Sequence, residues 1–111
     1  MTTAQLDSVF SALADPTRRA ILTRLASGEA TVTELAEPFD VTLPAISKHV
    51  KVLERAGLVE RGREAQRRPC RLCPDPLREA LGWLAGQSAF WEGSFDRLAT
   101  HLEAIQREAR R

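Results

Sequence analysis

TLPAISKHVKVLER, Thr42 to Arg55, is the stretch on which the reading of this chain turns. Thr42 can cap a helix by accepting a backbone N–H, and Pro44 falls in the first turn, where a missing amide proton costs nothing. A helix is therefore expected to start here. Leu43, Ile46, Val50 and Leu53 recur at spacings of three and four and share one stripe, with His49 on its flank, so this side should face a core. Pro44, Lys48, Lys51 and Arg55 fall on the opposite side, with Ala45 and Ser47 on the shoulders. That surface is slim at its start and basic further along, which suits a DNA major groove: small and hydroxyl side chains allow close approach to base edges, and cations meet phosphates. Three charges alone fit the solvated face of an ordinary amphipathic helix equally well.

The neighbouring segments favour the first reading. Upstream, Thr31 or Thr33 opens a short helix with Leu35 and Ala36 apolar, Glu34 and Glu37 charged, and Pro38 near its end. Phe39-Asp40-Val41 then turns the chain into the Thr42 helix. A short helix, a tight turn and a longer helix with a small-residue start form a helix-turn-helix, whose second helix is presented to the groove. Downstream, Gly57 is the expected left-handed stop. Leu58 to Arg63 alternates with period two, and Pro69 to Leu72 can return antiparallel to it around a tip of Glu64 to Arg68, giving a two-stranded wing. Pro69 cannot donate to a ladder and belongs at an edge or a strand start. The arginine-rich hairpin suits a DNA backbone or minor groove, or serves as an edge kept soluble by its charge.

Further out, about Ala4 to Ala14 reads as a first helix with Leu6, Val9, Phe10 and Leu13 on one face. Asp15 and Pro16 supply the cap and first turn of a second, with Ile21, Leu22 and Leu25 inward and Gly28 at its end. Arg18, Arg19 and Arg24 on its outer side fit phosphate contacts or structural salt bridges. Asp75-Pro76 repeats the cap signature, and an apolar pattern continues to Ile105. Leu77, Leu84, Trp91, Leu98 and Ile105 recur every seven residues, with Leu81, Ser88, Phe95 and Leu102 as a second row. Trp83 and Phe90 widen the apolar arc beyond what one seam requires, so one side is expected to pack on its own domain and another on a partner subunit. Unbroken, this helix would run about 45 Å at 1.5 Å per residue. Gly82, Gly86 and Gly93 each weaken it by about 1 kcal/mol relative to alanine, which leaves a kink near Gly86 or Gly93 as an alternative.

Composition bounds the function. The chain has 111 residues and a net charge of only +1, but Thr42 to Arg71 holds eight lysines and arginines against three glutamates, so the positive field is local. One domain is expected over 1–111, helices and wing over about 4–73 and a dimerisation helix over about 75–106. No run is apolar enough to span a bilayer and the N-terminus lacks a signal-peptide pattern, so no membrane partner and a cytoplasmic place are expected.

Taken together, the strings FSALADPTRRAILTRL, AISKHVKVLERAGLVERG and PDPLREALGWL resemble the ArsR family of bacterial winged-helix repressors, over roughly Val9 to Leu102. The resemblance implies a mainly α fold with a small β-hairpin wing and a long C-terminal dimerisation helix. It also implies a homodimer on a partly palindromic double-stranded DNA operator, usually repressing transcription and often releasing DNA when an effector binds. Family base-contacting positions fall on Thr42, Pro44, Ala45, Ser47 and Lys48, with His49 a weaker candidate; Lys51 joins them as part of the basic face. Wing contacts fall on Arg63, Gln66, Arg67 and Arg68. Dimerisation through first and last helices implies Leu6, Phe10, Leu84, Trp91, Phe95, Leu98 and Leu102.

The departures concern the effector. Metal-sensing members carry cysteines on the helix before the turn, where this chain has Glu34-Leu35-Ala36-Glu37. Members that bind zinc on the last helix use Asp and His pairs, and Asp96 and His101 have no second histidine nearby. The wing reads REAQRRPC where many relatives have glycine near the tip. No metal and no cofactor are expected, and any small effector is left unidentified. Cys70 and Cys73 form a C-x-x-C, but residues three apart on a strand point to opposite faces, which opposes shared chelation; Cys70 should face inward with Leu72. The leading reading is a non-enzymatic, sequence-specific dimeric repressor, with autoregulation as one mode. The rivals are a thiol- or metal-responsive sensor using Cys70 and Cys73, and a winged-helix module that docks a protein.

Overall fold

The computed structural model describes residues 1–63 and 67–110. The chain divides into two compact units, Met1–Ala80 and Leu81–Arg111. The first holds helices α1 (Thr3–Leu13), α2 (Pro16–Ala26), α3 (Val32–Ala36) and α4 (Leu43–Arg55), and strands β1 (Val59–Arg61) and β2 (Cys70–Leu72). Helix α5, Asp75–Ala109, begins in the first unit and forms the described part of the second.

Helices α1 to α4 each start on a side-chain cap, whereas α5 does not: Asp75, expected as its cap, is the first helical residue, its carboxylate meets Arg78 at 2.9 Å, and the Arg78 amide donates to Pro74 O. Thr2 accepts the Gln5 amide while the Gln5 side chain takes the Thr2 amide, a reciprocal box that begins α1 at Thr3. Asp15 Oδ2 accepts the Arg18 amide at 2.9 Å, with Pro16 in the first turn of α2. Of the two threonines before α3, Thr31 is the cap, and Glu34 reaches back to its amide. Thr42 caps α4 through the Ala45 amide at 3.3 Å. At the far end Gly57 adopts φ +77°, a conformation that L side chains rarely take.

Val9, Ile21, Leu35, Ile46, Val50, Leu53 and Leu58 are fully buried or nearly so and form the centre of the core, drawing one or more residues from each of α1 to α4. The α4 stripe is thus confirmed for Ile46, Val50 and Leu53. Leu43 departs from it: the side chain is 48% exposed, because a residue in the first turn projects beyond the end of the core even though its angle on the helical wheel is apolar. Leu6, Phe10 and Leu13 are partly buried against the same core.

The wing pairs antiparallel as expected, in the register Val59 with Leu72, Glu60 with Arg71 and Arg61 with Cys70. Pro69 stands just outside β2, where its carbonyl accepts the Gly62 amide at 2.7 Å. Cys70 has a second neighbour: its amide donates to Ala30 O at 2.7 Å and its carbonyl accepts the Ala30 amide at 3.1 Å. The segment between α2 and α3 therefore flanks β2 opposite β1.

In the second unit α5 is helical through Gly82, Gly86 and Gly93. Its large apolar side chains are exposed: Leu84, Trp91, Phe95, Leu98, Leu102 and Ile105 each retain about half their surface. Trp91 meets Phe90 edge to face at 5.6 Å between ring centroids and lies 6.2 Å from Phe95. Among the described residues no helix is long and apolar enough to cross a membrane.

Candidate nucleic-acid interface

The α3–turn–α4 unit is bound together by burial of Leu35 against Ile46, Val50 and Leu53. With that side of α4 sealed, the opposite side is open. Pro44, Lys48, Lys51 and Arg55 are exposed, and Ala45 and Ser47 are half-buried on the shoulders. Lys48, Lys51 and Arg55 make no ion pair among the described residues, so their charge is available to a polyanion.

His49 lies elsewhere. Its Nδ1 is 3.4 Å from Arg18 Nη1 and 3.8 Å from Asp15 Oδ2, and only 25% of the side chain is exposed. It joins α4 to the junction between α1 and α2 instead of standing on the open face. Arg18 organises that junction: its Nε donates to Ala12 O at 2.7 Å and its Nη2 to Ser11 O at 3.0 Å. Arg19 donates to Leu13 O, and Arg24 to Gly28 O. Arg18 and Arg19 thus terminate α1 by donating to its last carbonyls, and Arg24 ties α2 to the turn that follows it, an arrangement that neither the salt-bridge nor the phosphate reading named. The amide of Arg18 above all, then the His49 and Arg18 charges, hold the Asp15 carboxyl below its ordinary value against the opposing effect of burial.

On the wing, Arg63 and Arg68 are exposed, and Arg68 takes φ +39°. Arg67 is 72% exposed, and its Nη2 donates to Glu34 Oε1 at 3.2 Å, linking the wing to the cap of α3. Gln66 lies outside the described residues. On the strand root Arg71 meets Glu29 at 2.9 Å.

Cys70 is fully buried and Cys73 partly so, and both are free thiols. Burial pushes both thiols up from their ordinary value; at Cys70 the Arg61 guanidinium opposes this in part. A raised pKa leaves little thiolate, the form that binds metals and attacks oxidants. Among the described residues no group of three or more His, Cys, Asp or Glu side chains could hold a metal ion.

The residues expected from dimerisation divide into two sets. Leu6 and Phe10 are partly buried in the first unit, whereas Leu84, Trp91, Phe95, Leu98 and Leu102 stand exposed on α5. Sequence reasoning missed the exposure of two apolar side chains at the start of α4, Val41 and Leu43. Their signal was position: one precedes the Thr42 cap and the other immediately follows it, at the edge of what the core can reach.

A helix-turn-helix domain family matches residues 13–62, which span the α2–α4 region and the first strand. The transcriptional repressor SdpR of Bacillus subtilis is 34% identical over 79 residues, covering 71% of this chain and 88% of that protein. The crystal structure of an ArsR family transcriptional regulator superposes with a TM-score of 0.77 at 44% identity, covering 83% of this chain and 95% of that one. The solution structure of a homodimeric winged helix-turn-helix DNA-binding domain from Mycobacterium bovis gives a TM-score of 0.63 at 31% identity, over 81% of this chain and 84% of that one. With the helix-turn-helix, its wing and these likenesses in agreement, the chain belongs to the ArsR family of winged helix-turn-helix transcriptional regulators.

Proposed function

We propose that the chain binds double-stranded DNA as a homodimer and represses transcription from a partly palindromic operator, its own promoter included. The observation that carries this reading is the open face of α4. Lys48, Lys51 and Arg55 are exposed without ion pairs among the described residues, beside the small shoulder residues Ala45 and Ser47. Thr42, Pro44, Ala45, Ser47 and Lys48 meet base edges and the adjoining backbone; Lys51, Arg63, Gln66, Arg67 and Arg68 meet phosphates. His49 acts indirectly, by holding α4 against Asp15 and Arg18.

The second subunit is a copy of this chain. The exposed apolar rows of α5 support this, since covering the half of each such side chain that is still exposed gains about 1 kcal/mol, and a similar domain from Mycobacterium bovis is homodimeric. The two units act as one DNA-binding module in the cytoplasm, without catalysis and without a resident metal or cofactor. A small effector has no site assigned to it. The raised pKa values of Cys70 and Cys73 weigh against a thiol-responsive mode.

The test is fluorescence anisotropy of purified protein with duplexes from its own upstream region and with scrambled duplexes, across a salt series. Expected is tight binding to one upstream segment at two subunits per duplex, with affinity falling steeply as salt rises. Lys48→Ala should weaken operator binding, and Lys51→Ala should weaken binding to operator and scrambled DNA alike. Equal, weak and salt-insensitive binding to every duplex, including those enriched from a random library, would refute the reading.

A further inference from the structure

In the first unit the exposed large apolar side chains among the described residues are Met1, Val41 and Leu43, and two of these three flank the Thr42 cap of α4. Val41 is 44% and Leu43 48% exposed. Neither is spent on the core, which is closed on this helix by Ile46, Val50 and Leu53 at 0% exposure. Leu43 lies one turn before Ser47 and, at 100° per residue, within about 40° of it around the helix axis. An apolar side chain therefore sits beside a hydroxyl, at the slim start of a helix whose far half is basic.

We propose that Leu43, supported by Val41, is a specificity-determining residue that selects thymine by packing on its C5-methyl group. The proposal rests on the DNA-binding reading above and says what that face recognises. In the major groove the thymine methyl is the apolar group among the hydrogen-bonding edges of the four bases, and aliphatic side chains read it by contact. The charge further along α4 selects the occupant. Lys48, Lys51 and Arg55 repel a second copy of this same face, and they attract a polyanion that carries apolar groups in its groove. Pro44 and Ala45 add little bulk between α4 and the base edges. Ser47, one turn on, reaches a polar edge next to the methyl.

The experiment removes one methyl group at a time. A binding duplex is first taken from a random-library selection, and each thymine of a half-site is then replaced by deoxyuridine. Affinities are measured by anisotropy for the wild type, Leu43→Ala, Val41→Ala and Leu43→Gln. Expected is a thymine position at which deoxyuridine weakens the wild type roughly fourfold per methyl. At that position Leu43→Ala binds the two duplexes equally, and Val41→Ala shows a reduced difference. Leu43→Gln, which keeps the reach of the side chain and adds an amide, should shift preference at that position from thymine toward adenine. Because Leu43 is exposed, each Leu43 variant should unfold at the wild-type midpoint, which separates reading from folding.

Two outcomes overturn the proposal while leaving the DNA-binding reading intact: no thymine is sensitive to loss of its methyl, or the loss is as large in Leu43→Ala as in the wild type. Failure to enrich or bind any duplex overturns the DNA-binding reading, and this proposal with it.

Discussion

Asp15 shows how much a single side chain does at the joint between α1 and α2. Its Oδ2 caps α2 through the Arg18 amide and also faces His49 on α4. These groups favour the carboxylate, so its pKa in the folded protein lies below the ordinary 3.8. Glu34 is likewise held below 4.5, first by the Thr31 amide, then by the Thr31 hydroxyl and more weakly by Arg67. A carboxyl whose pKa is depressed by folding stabilises the native state above the unfolded-state value, and that contribution is lost as pH falls through the folded-state value. Stability is therefore expected to hold near neutrality and to decline below about pH 4. Asp15→Asn preserves the cap, because asparagine caps as well as aspartate, and removes the titration. Denaturant unfolding over pH 2–7, a window set by ordinary carboxylate values, should show a shallower acid decline for this variant; an unchanged decline would remove Asp15 from the account.

The elements were legible wherever a boundary is written locally. Asp15-Pro16, Thr42-Pro44 and Gly57 mark helix ends through their own chemistry, and α2 and α4 begin where these residues place them. The reciprocal Thr2–Gln5 box was equally local, and the Thr-x-x-Gln spacing could have moved the start of α1 to Thr3. What could not be read was non-local. Nothing in the period of α2 says that Arg18 will terminate α1 or meet His49 at a separation of 31 residues, and nothing in Ala30 foretells its bridge to Cys70. Leu43 illustrates the limit of periodicity itself: a helical wheel reports angle but not height along the axis, and only three-dimensional packing ends the core one turn short. Gly57 gives the sharpest test at this scale. With φ +77° and a neighbouring Pro76 carbon 3.6 Å from where a Cβ would lie, space is adequate and conformation is the obstacle. Gly57→Ala should cost about 1 kcal/mol, seen as a lower unfolding midpoint.

For the molecule as a whole, the charge pattern and the apolar pattern occupy different stretches. Basic residues gather from α4 through the wing, and large exposed apolar side chains gather on α5. In the dimeric reading the second set is covered by the partner. Phe95→Glu combined with Leu98→Glu should then yield monomer in sedimentation velocity and weaken operator binding far more than random binding, since two half-sites would no longer be engaged together. The wing carries a different consequence. β2 is pinned on one side by β1 and on the other by both hydrogen bonds to Ala30, while the Cys73 amide closes the hairpin root on Leu58 O at 2.8 Å and the Gly62 amide extends the ladder toward the tip on Pro69 O at 2.7 Å. A root fastened on both edges cannot slide, so α4 and the base of the wing keep a set stance like the jaws of a caliper. In the DNA-binding reading the duplex, at about 10 base pairs per turn, must then supply its two points of contact at the offset the protein dictates. One base pair inserted between them would turn the far contact away from the jaw.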